Sequence, residues 1–192
     1  MLTIAFWLTI RHNNLHEVYM VPCMSFHVGE RVVYPNQGVG TIENISTRTF
    51  GPRVERFYLL RLASNSLTIM IPFSHVGDVG LRRVTRNREV ARVLEYLGRD
   101  KCRHCADWKN RFRENSEKMR VGGLLHVAEV LKCLLLQQRD KTLSFREKKM
   151  LDRARHMLVT EVSIARAVST PRAEEILHRE LAKAKLSLPE PL

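Results

Sequence analysis

The chain has 192 residues, of which 44% are hydrophobic, and a formal net charge of +12. This length accommodates one large or two small domains, each with its own core, and the apolar content is that of an ordinary globular protein. The excess of cations favours a polyanionic partner. No basic amphipathic helix is evident in the sequence, so an anionic membrane surface is the weaker candidate.

The positive charge is concentrated in the middle of the chain. Residues 82–155 contain 21 Lys and Arg against 10 Asp and Glu, whereas the other 118 residues contain 11 against 10. A near-neutral N-terminal region followed by a basic middle region predicts two domains. One would bind a neutral partner, and the other would bind a polyanion, most simply nucleic acid.

Residues 1–23 begin with an apolar run that is too short to span a bilayer. The run lacks the basic start and the small-residue cleavage site of a signal peptide. Met24 directly precedes the first patterned segment. The sequence therefore predicts that residues 1–23 are an extension, either disordered or the product of a mis-called start.

Residues 24–86 carry the alternation of β structure. Strands are predicted over 28–34, 39–45, 54–62 and 67–73, with turns at Pro35 to Gly38 and at Gly51-Pro52. Short strands at this spacing are typical of a small barrel of the SH3 or Tudor type. Gly38 and Gly40 are predicted as turn glycines, because no helix with Lys-Ser/Thr follows them as in a phosphate loop.

From residue 87 to 185 the apolar period becomes helical, and about five helices are predicted. The first has its stripe at Val90, Val93, Leu94 and Leu97. Three further helices carry start signals: Asp107 before Trp108, a capping box of Ser144 with Glu147, and Thr170 as N-cap before Pro171. A strongly apolar helix over 124–138 is expected to bury Leu125, Ala128, Leu131 and Leu135, and residues 186–192 are a tail.

The helix that begins at Trp108 has two possible interpretations. Trp108, Phe112 and Met119 fall on one side of it, among basic residues that include Lys109, Arg111 and Arg113. Such a helix is suited to hold a phosphate backbone and to press an aromatic ring on bases. Alternatively, Trp108 belongs to the core and the cations form a solvated face, because large aromatic residues usually end up buried.

Nothing in the sequence indicates catalysis or a metal site. The eight His are scattered, the acidic residues mostly have basic neighbours and are predicted to be surface charges, and the nucleophile and metalloprotease motifs are missing. Cys102 and Cys105 have zinc-ligand spacing without a second pair, and Cys133 stands alone, so reduced thiols are expected. We predict no enzyme activity, no cofactor and no metal.

Several segments together resemble one protein family, and the match is collinear over about 24–184. They are FHVGERVVYPNQGVGTIENI (26–45), ERFYLLRL (55–62), LTIMIP (67–72), DWKNRFREN (107–115) and LSFREKKMLDRARHMLVTE (143–161). These segments resemble the CarD/CdnL family of bacterial transcription regulators.

The resemblance implies a Tudor-like domain that docks on the β subunit of RNA polymerase and a helical domain that touches promoter DNA at the upstream edge of the transcription bubble. The family's Trp, which wedges into the minor groove, matches Trp108. The family's polymerase-contacting Arg matches Arg48. A second contact position is Met70 here, so docking at that point must be apolar. One basic position of the family's Trp segment is Asn110 in this chain.

The resemblance and the basic pattern together give a set of expected sites. DNA contacts are predicted at Trp108, Lys109, Arg111, Arg113, Lys148, Lys149 and Arg153, and polymerase contacts at Arg48, Met70 and Pro72. The DNA contacts should be largely independent of sequence and lie in the minor groove.

The predicted architecture is an α+β chain, with a small Tudor/SH3-like β-barrel over 24–86 and an all-α helical bundle over 87–185. The predicted function is a cytoplasmic, nucleoid-associated monomer that docks on RNA polymerase and stabilises the promoter open complex. Two other classes remain open. A stand-alone architectural protein would bind free DNA without polymerase, and a protein-interaction adaptor would ignore DNA.

Overall fold

A computed structural model describes residues 25–50, 53–64, 66–99 and 108–191. The side chains of residues 50, 53, 108–110 and 121 lie outside this description. Within these ranges the strands are β1 Arg31–Tyr34, β2 Gly38–Phe50, β3 Arg53–Leu62, β4 Thr68–Pro72 and β5 Arg82–Arg83. The helices are a short 3-10 turn, Phe73–His75, followed by α1 Val76–Val79, α2 Asn87–Gly98, α3 Trp108–Val121, α4 Leu124–Asp140, α5 Phe145–Arg166 and α6 Thr170–Lys183.

The strands form one antiparallel sheet in the order β4-β3-β2-β1-β5. A sheet followed by a group of helices confirms the predicted α+β class and its Tudor-like first part. The four predicted strands are present, although β1 begins later than expected because Gly29, at a φ of +86°, lies in a turn. The β2 strand runs five residues beyond the predicted Ile45, with a bulge between Ile42 and Asn44.

One face of the sheet closes over an aromatic core centred on Tyr58. The Tyr58 ring stacks on Phe73 at 4.0 Å and meets Phe26 edge-on at 5.7 Å. The backbone N–H of Phe26 donates to the Tyr58 hydroxyl at 3.0 Å, which satisfies the polar tip of a buried ring. Successive residues of a strand alternate between the two faces of the sheet. The neighbours of Tyr58 along β3, and their partners on β4, therefore point to the opposite face, which we call the outer face.

The helices pack around a second core. The α2 stripe of Val90, Val93, Leu94 and Leu97 is buried as predicted, and the Ser144–Glu147 capping box is formed. The prediction that Leu125 is largely buried is wrong, because its side chain is 40% exposed at the start of α4. Ser169, and not Thr170, is the N-cap residue of α6.

Some charged residues are buried, and Glu161 among them corrects the expectation that the acidic residues are surface charges. The Lys132 ammonium donates to the backbone oxygens of Tyr96, at 2.9 Å, and Arg99, which are at the end of α2. Carbonyls at a helix C-terminus lack intrahelical partners, so a buried cation is well placed there. Glu161 on α5 is buried as well, and its side chain is only 1% exposed.

Glu161 joins the helices to the sheet. Its carboxylate accepts from both terminal nitrogens of Arg82 on β5, at 2.6 and 2.8 Å. It also accepts from the backbone N–H and the hydroxyl of Thr85, at 2.9 and 2.6 Å. The β1–β2 turn also lies close to α5. A Cβ atom added to Gly38 would be 3.7 Å from the His156 ring, which is an ordinary van der Waals distance. The sheet and the helices are therefore held together by polar and van der Waals contacts.

Cys133 differs from its prediction as a lone reduced thiol. It is buried on α4 and takes part in a disulfide bond whose partner lies outside the described residues. Within the described ranges, no helix combines the length and the apolar character that crossing a bilayer requires.

Candidate nucleic-acid interface

Helix α3 begins at Trp108, as predicted. The side chains of Trp108 and Lys109, and the whole of the predicted cap Asp107, lie outside the described residues. The choice between a DNA-facing and a core tryptophan therefore stays a prediction. Further along α3, Met119 is buried and Phe112 is 39% exposed, so the aromatic side of this helix runs from the core towards the surface.

A cleft of about 220 Å³ separates α3 from α5. Phe112, Ser116 and Met119 of α3 form one wall, and Arg146, Lys149, Met150 and Arg153 of α5 form the other, with Asn36 of the β1–β2 turn also lining it. The structure thus brings the predicted DNA contacts Lys149 and Arg153 together with Phe112, which lies 37 or more residues away in the chain. We call Arg113, Arg146, Lys149 and Arg153, with the half-buried Arg111, the basic face.

The cations of the basic face differ from other cations of the bundle in their ion pairing, although the charge of Arg111 also acts on the Glu147 carboxylate. Among the described residues, none of the five takes part in an ion pair, and Lys149 instead lies over the Phe145 ring. By contrast, Lys118 pairs with Glu129, and Arg155 pairs with Glu174. Unpaired surface cations keep their full attraction for an external anion, whereas paired ones are largely neutralised locally.

The N-terminus of α5 is fixed by the capping box beside the basic face. The Glu147 carboxylate accepts from Gln137 at 2.8 Å and from the Ser144 backbone N–H at 2.9 Å. Burial raises the pKa of Glu147, but these hydrogen bonds, together with the charge of Arg111, outweigh it and hold the pKa below its ordinary value. The carboxylate is therefore ionised at neutral pH and keeps the first turn of α5 in place.

Lys148 does not join Lys149 on the basic face. It lines a separate cavity of about 460 Å³, between the end of α4, α5 and the C-terminal segment, with Arg139 and Lys185. Consecutive helical residues point about 100° apart, so the sequence pair Lys148-Lys149 divides between two surfaces. Asp152 and Glu190 also line this cavity, which makes it less positive than the basic face.

Sequence reasoning missed Phe145 as a candidate site residue. It is the first residue of α5, its side chain is 70% exposed, and the Lys149 ammonium lies 4.7 Å from its ring centre. A hydrophobic residue after a capping box is easily taken for the first core position of a helix. The sequence carries one further signal, which is that basic residues follow at positions 146, 148 and 149.

The predicted polymerase contacts share the outer face of the sheet. Arg48 pairs with Glu55, Met70 with Leu59 and Pro72 with Phe57 in the strand register. Glu55, Phe57 and Leu59 are alternate residues of β3 and therefore lie on the same face of the sheet. Their cross-strand partners share that face, which is opposite the Tyr58 core. Arg48 is exposed, Met70 is 36% exposed, and β4 is an edge strand of the sheet.

The described part of the chain offers no clustered metal ligands. No group of three or more His, Cys, Asp and Glu in it lies close enough to hold a metal ion. Cys102 and Cys105 lie outside the described residues, so the absence of zinc at this pair stays a prediction. What the described site can do is bind an anion with several cations and offer aromatic rings beside them.

Within the described residues, the chain is a two-part protein in which a Tudor-like antiparallel sheet is followed by a basic helical unit. Comparison with known proteins is consistent with this two-part organisation. A CarD-like/TRCF RID domain matches residues 26–85, and a CarD C-terminal domain matches residues 92–178. The chain belongs to the CarD/CdnL family of transcription regulators, as its sequence resemblance indicated.

Individual relatives are similar over different shares of the chain. The "Putative transcription factor YdeB" of Bacillus subtilis (strain 168) is 29% identical over 144 residues, which are 75% of this chain and 94% of that protein. The solved structure "CdnLNt from Myxoccoccus xanthus" is 43% identical, covers 32% of this chain and 86% of its own, and superimposes with a TM-score of 0.28.

Proposed function

We propose that this protein docks on the β subunit of RNA polymerase through its sheet and stabilises the promoter open complex through the basic face of its helices. The observation that carries this proposal is the basic face, where Arg146, Lys149 and Arg153 of α5 line one cleft opposite Phe112 of α3 and make no ion pair within the described structure. In a family of transcription regulators, promoter DNA is the polyanion that such a face fits best.

Polymerase docking would use the outer face of the sheet next to the β4 edge. An edge strand has unpaired backbone donors and acceptors and can add a strand of the partner by β-augmentation. Met70 and Pro72 would supply apolar contact along β4, and Arg48 would supply charge two strands away. No Arg–carboxylate contact can form at Met70.

DNA contact would be mostly to phosphates. Guanidinium and ammonium groups contact phosphate oxygens without reading the bases, so binding should be salt-dependent and largely independent of sequence. The phosphates would be contacted by six basic residues, which are Lys109, Arg111, Arg113, Lys148, Lys149 and Arg153. Of these, Lys148 would reach the DNA from the neighbouring surface.

The wedge of Trp108 would make this binding selective for melted DNA. A factor shifts the equilibrium between closed and open promoter only by its difference in affinity for the two states. An aromatic wedge at a distorted minor groove supplies such a difference in affinity, whereas phosphate contacts form in both the closed and the open state. Docking on polymerase supplies a high local concentration, so weak DNA contacts are sufficient.

This role is regulatory and non-catalytic, requires no cofactor, and is carried out by a monomer in the cytoplasm at the nucleoid. Two observations favour it over the alternatives that the sequence left open. A stand-alone architectural protein would have no use for a sheet of the polymerase-interaction type. A pure adaptor would have no use for a face of unpaired cations.

Arg48→Glu is expected to abolish pull-down of RNA polymerase, because it reverses the one charge that we assign to the docking face. Binding of the same variant to duplex DNA should remain unchanged. Arg31→Glu is the matched control, since it places the same charge change at an exposed position of β1 in the same sheet. Equal polymerase recovery with both variants would show that Arg48 is not at the docking surface.

A further inference from the structure

The Phe145 ring is unusually placed for a phenylalanine. It is 70% exposed at the first residue of α5 and so forgoes most of the stabilisation that burial gives an aromatic ring. Single exposed apolar residues are common, so exposure alone assigns no role. The surroundings of the ring distinguish it from the other exposed apolar side chains.

Phe145 lies at the rim of the basic face. The Lys149 ammonium, 4.7 Å from its ring centre, also lines the α3–α5 cleft with Arg146 and Arg153. The opposite wall of the cleft holds Phe112. Of the phenylalanine side chains that the structure describes, Phe112 and Phe145 are the exposed ones, and both flank the same group of unpaired cations.

Exposed rings among unpaired cations fit single-stranded nucleic acid better than a duplex. Every base has a flat face that can stack on an aromatic side chain, but within a duplex those faces are already covered by neighbouring base pairs. The cleft beside the ring, at about 220 Å³, is smaller than the roughly 300–1,000 Å³ of typical small-molecule pockets. Its size and charge fit one nucleotide of a longer strand.

We propose that Phe145 and Lys149 form a stacking platform for one unpaired base of a melted DNA strand. The base would lie on the Phe145 ring, and the guanidinium groups of Arg146 and Arg153 would hold the flanking phosphates. This inference rests on the proposed function, in which the helices face the promoter bubble. It adds a contact to the unpaired strand, separate from the wedge assigned to Trp108.

The test compares Phe145→Ala with the wild-type chain on two DNAs of equal length, a blunt duplex and a fork with unpaired ends. Affinity for the fork is expected to fall about tenfold, as loss of one stacked base predicts, with duplex affinity unchanged. A fluorescent base analogue at the first unpaired position should be quenched by the wild-type chain and not by Phe145→Ala. Phe145→Tyr keeps the ring and should restore both signals.

Leu125→Ala is the matched control, because it removes an exposed apolar side chain that lines neither of the cavities described above. Equal affinity of wild-type and Phe145→Ala for the fork, or equal losses on fork and duplex, would overturn the platform while leaving the proposed DNA contact standing. Failure of the wild-type chain to bind either DNA at low salt and about millimolar protein, the local concentration that docking would supply, would overturn both.

Discussion

We expect Glu161→Ala to lower the free energy of unfolding by about 3–5 kcal/mol, or the Tm by roughly 6–20 °C. The variant removes the acceptor for the Arg82 guanidinium and for the backbone N–H and hydroxyl of Thr85. A largely buried cation left without its partner costs more than loss of a surface ion pair, because water cannot fully replace the carboxylate. Urea unfolding followed by circular dichroism measures the difference.

Two further variants show whether the effect comes from this ion pair. Glu161→Gln keeps an acceptor of the same shape without the charge and should lose less stability than Glu161→Ala. Glu175→Ala removes a carboxylate of an exposed pair with Arg172 on α6 and should leave the unfolding midpoint unchanged. If Glu161→Ala unfolds at the same urea concentration as Glu175→Ala, the sheet and the helices are not held by this cluster in solution.

The largest expected effect on binding comes from the basic face. Replacing Arg146, Lys149 and Arg153 together with Ala should reduce the slope of log K against log salt concentration for duplex DNA by about 2–3, since each lost phosphate contact contributes about 0.9. Binding at moderate salt should fall correspondingly for all sequences tested, because phosphate contacts carry no sequence information. Fluorescence anisotropy over a salt series measures both quantities.

The control for net charge is a second triple variant, Arg172→Ala, Arg179→Ala and Lys183→Ala. These three cations lie on α6 and contact Glu175 or Glu180, so they are partly neutralised. Both triple variants lower the formal net charge from +12 to +9. Equal salt slopes for the two would mean that overall charge, and not the face between α3 and α5, governs DNA binding.

Those parts of the fold that depend on local signals were predictable from sequence. The capping box of Ser144 with Glu147 marks the start of α5 because both side chains contact backbone within the same turn. The α2 stripe was equally clear, since its apolar residues recur at helical spacing with polar residues between them. Turn residues and period gave the first four strands and the five longer helices in order, but not the short α1 helix and the two-residue strand β5.

Burial could not be predicted where the apolar pattern is nearly continuous. Helix α4 is apolar on most sides, so the sequence does not say which side faces solvent, and Leu125 was placed wrongly in the core. Lys132 and Glu161 were missed for a different reason. Their partners, the carbonyls at the end of α2 and the Arg82–Thr85 segment, lie 33 or more residues away in the chain.

In the candidate site as well, local features were predictable from sequence and features that depend on tertiary packing were not. The cations of α3 and α5 were visible as local runs, but only the packing of the two helices places Arg146, Lys149 and Arg153 of α5 opposite Phe112 of α3 across one cleft. Helical geometry places Lys148 and Lys149 on two different surfaces. The exposure of Phe145 depends on the tertiary structure, although basic residues follow it in the sequence. The sequence thus predicted the kind of surface, and the tertiary structure determined its members.

The central claim is that this protein stabilises the open promoter, and the lifetime of the RNA polymerase–promoter open complex tests it most directly. Complexes formed on a labelled promoter are challenged with competitor DNA, with no added protein, with the wild-type chain or with Trp108→Ala. We expect the wild-type chain to lengthen the lifetime about tenfold, which requires only ~1.4 kcal/mol of selective stabilisation. Trp108→Ala should bind polymerase equally well and lose most of this effect. Equal lifetimes with and without the wild-type chain would contradict the account, and equal lifetimes for the two chains would contradict the wedge.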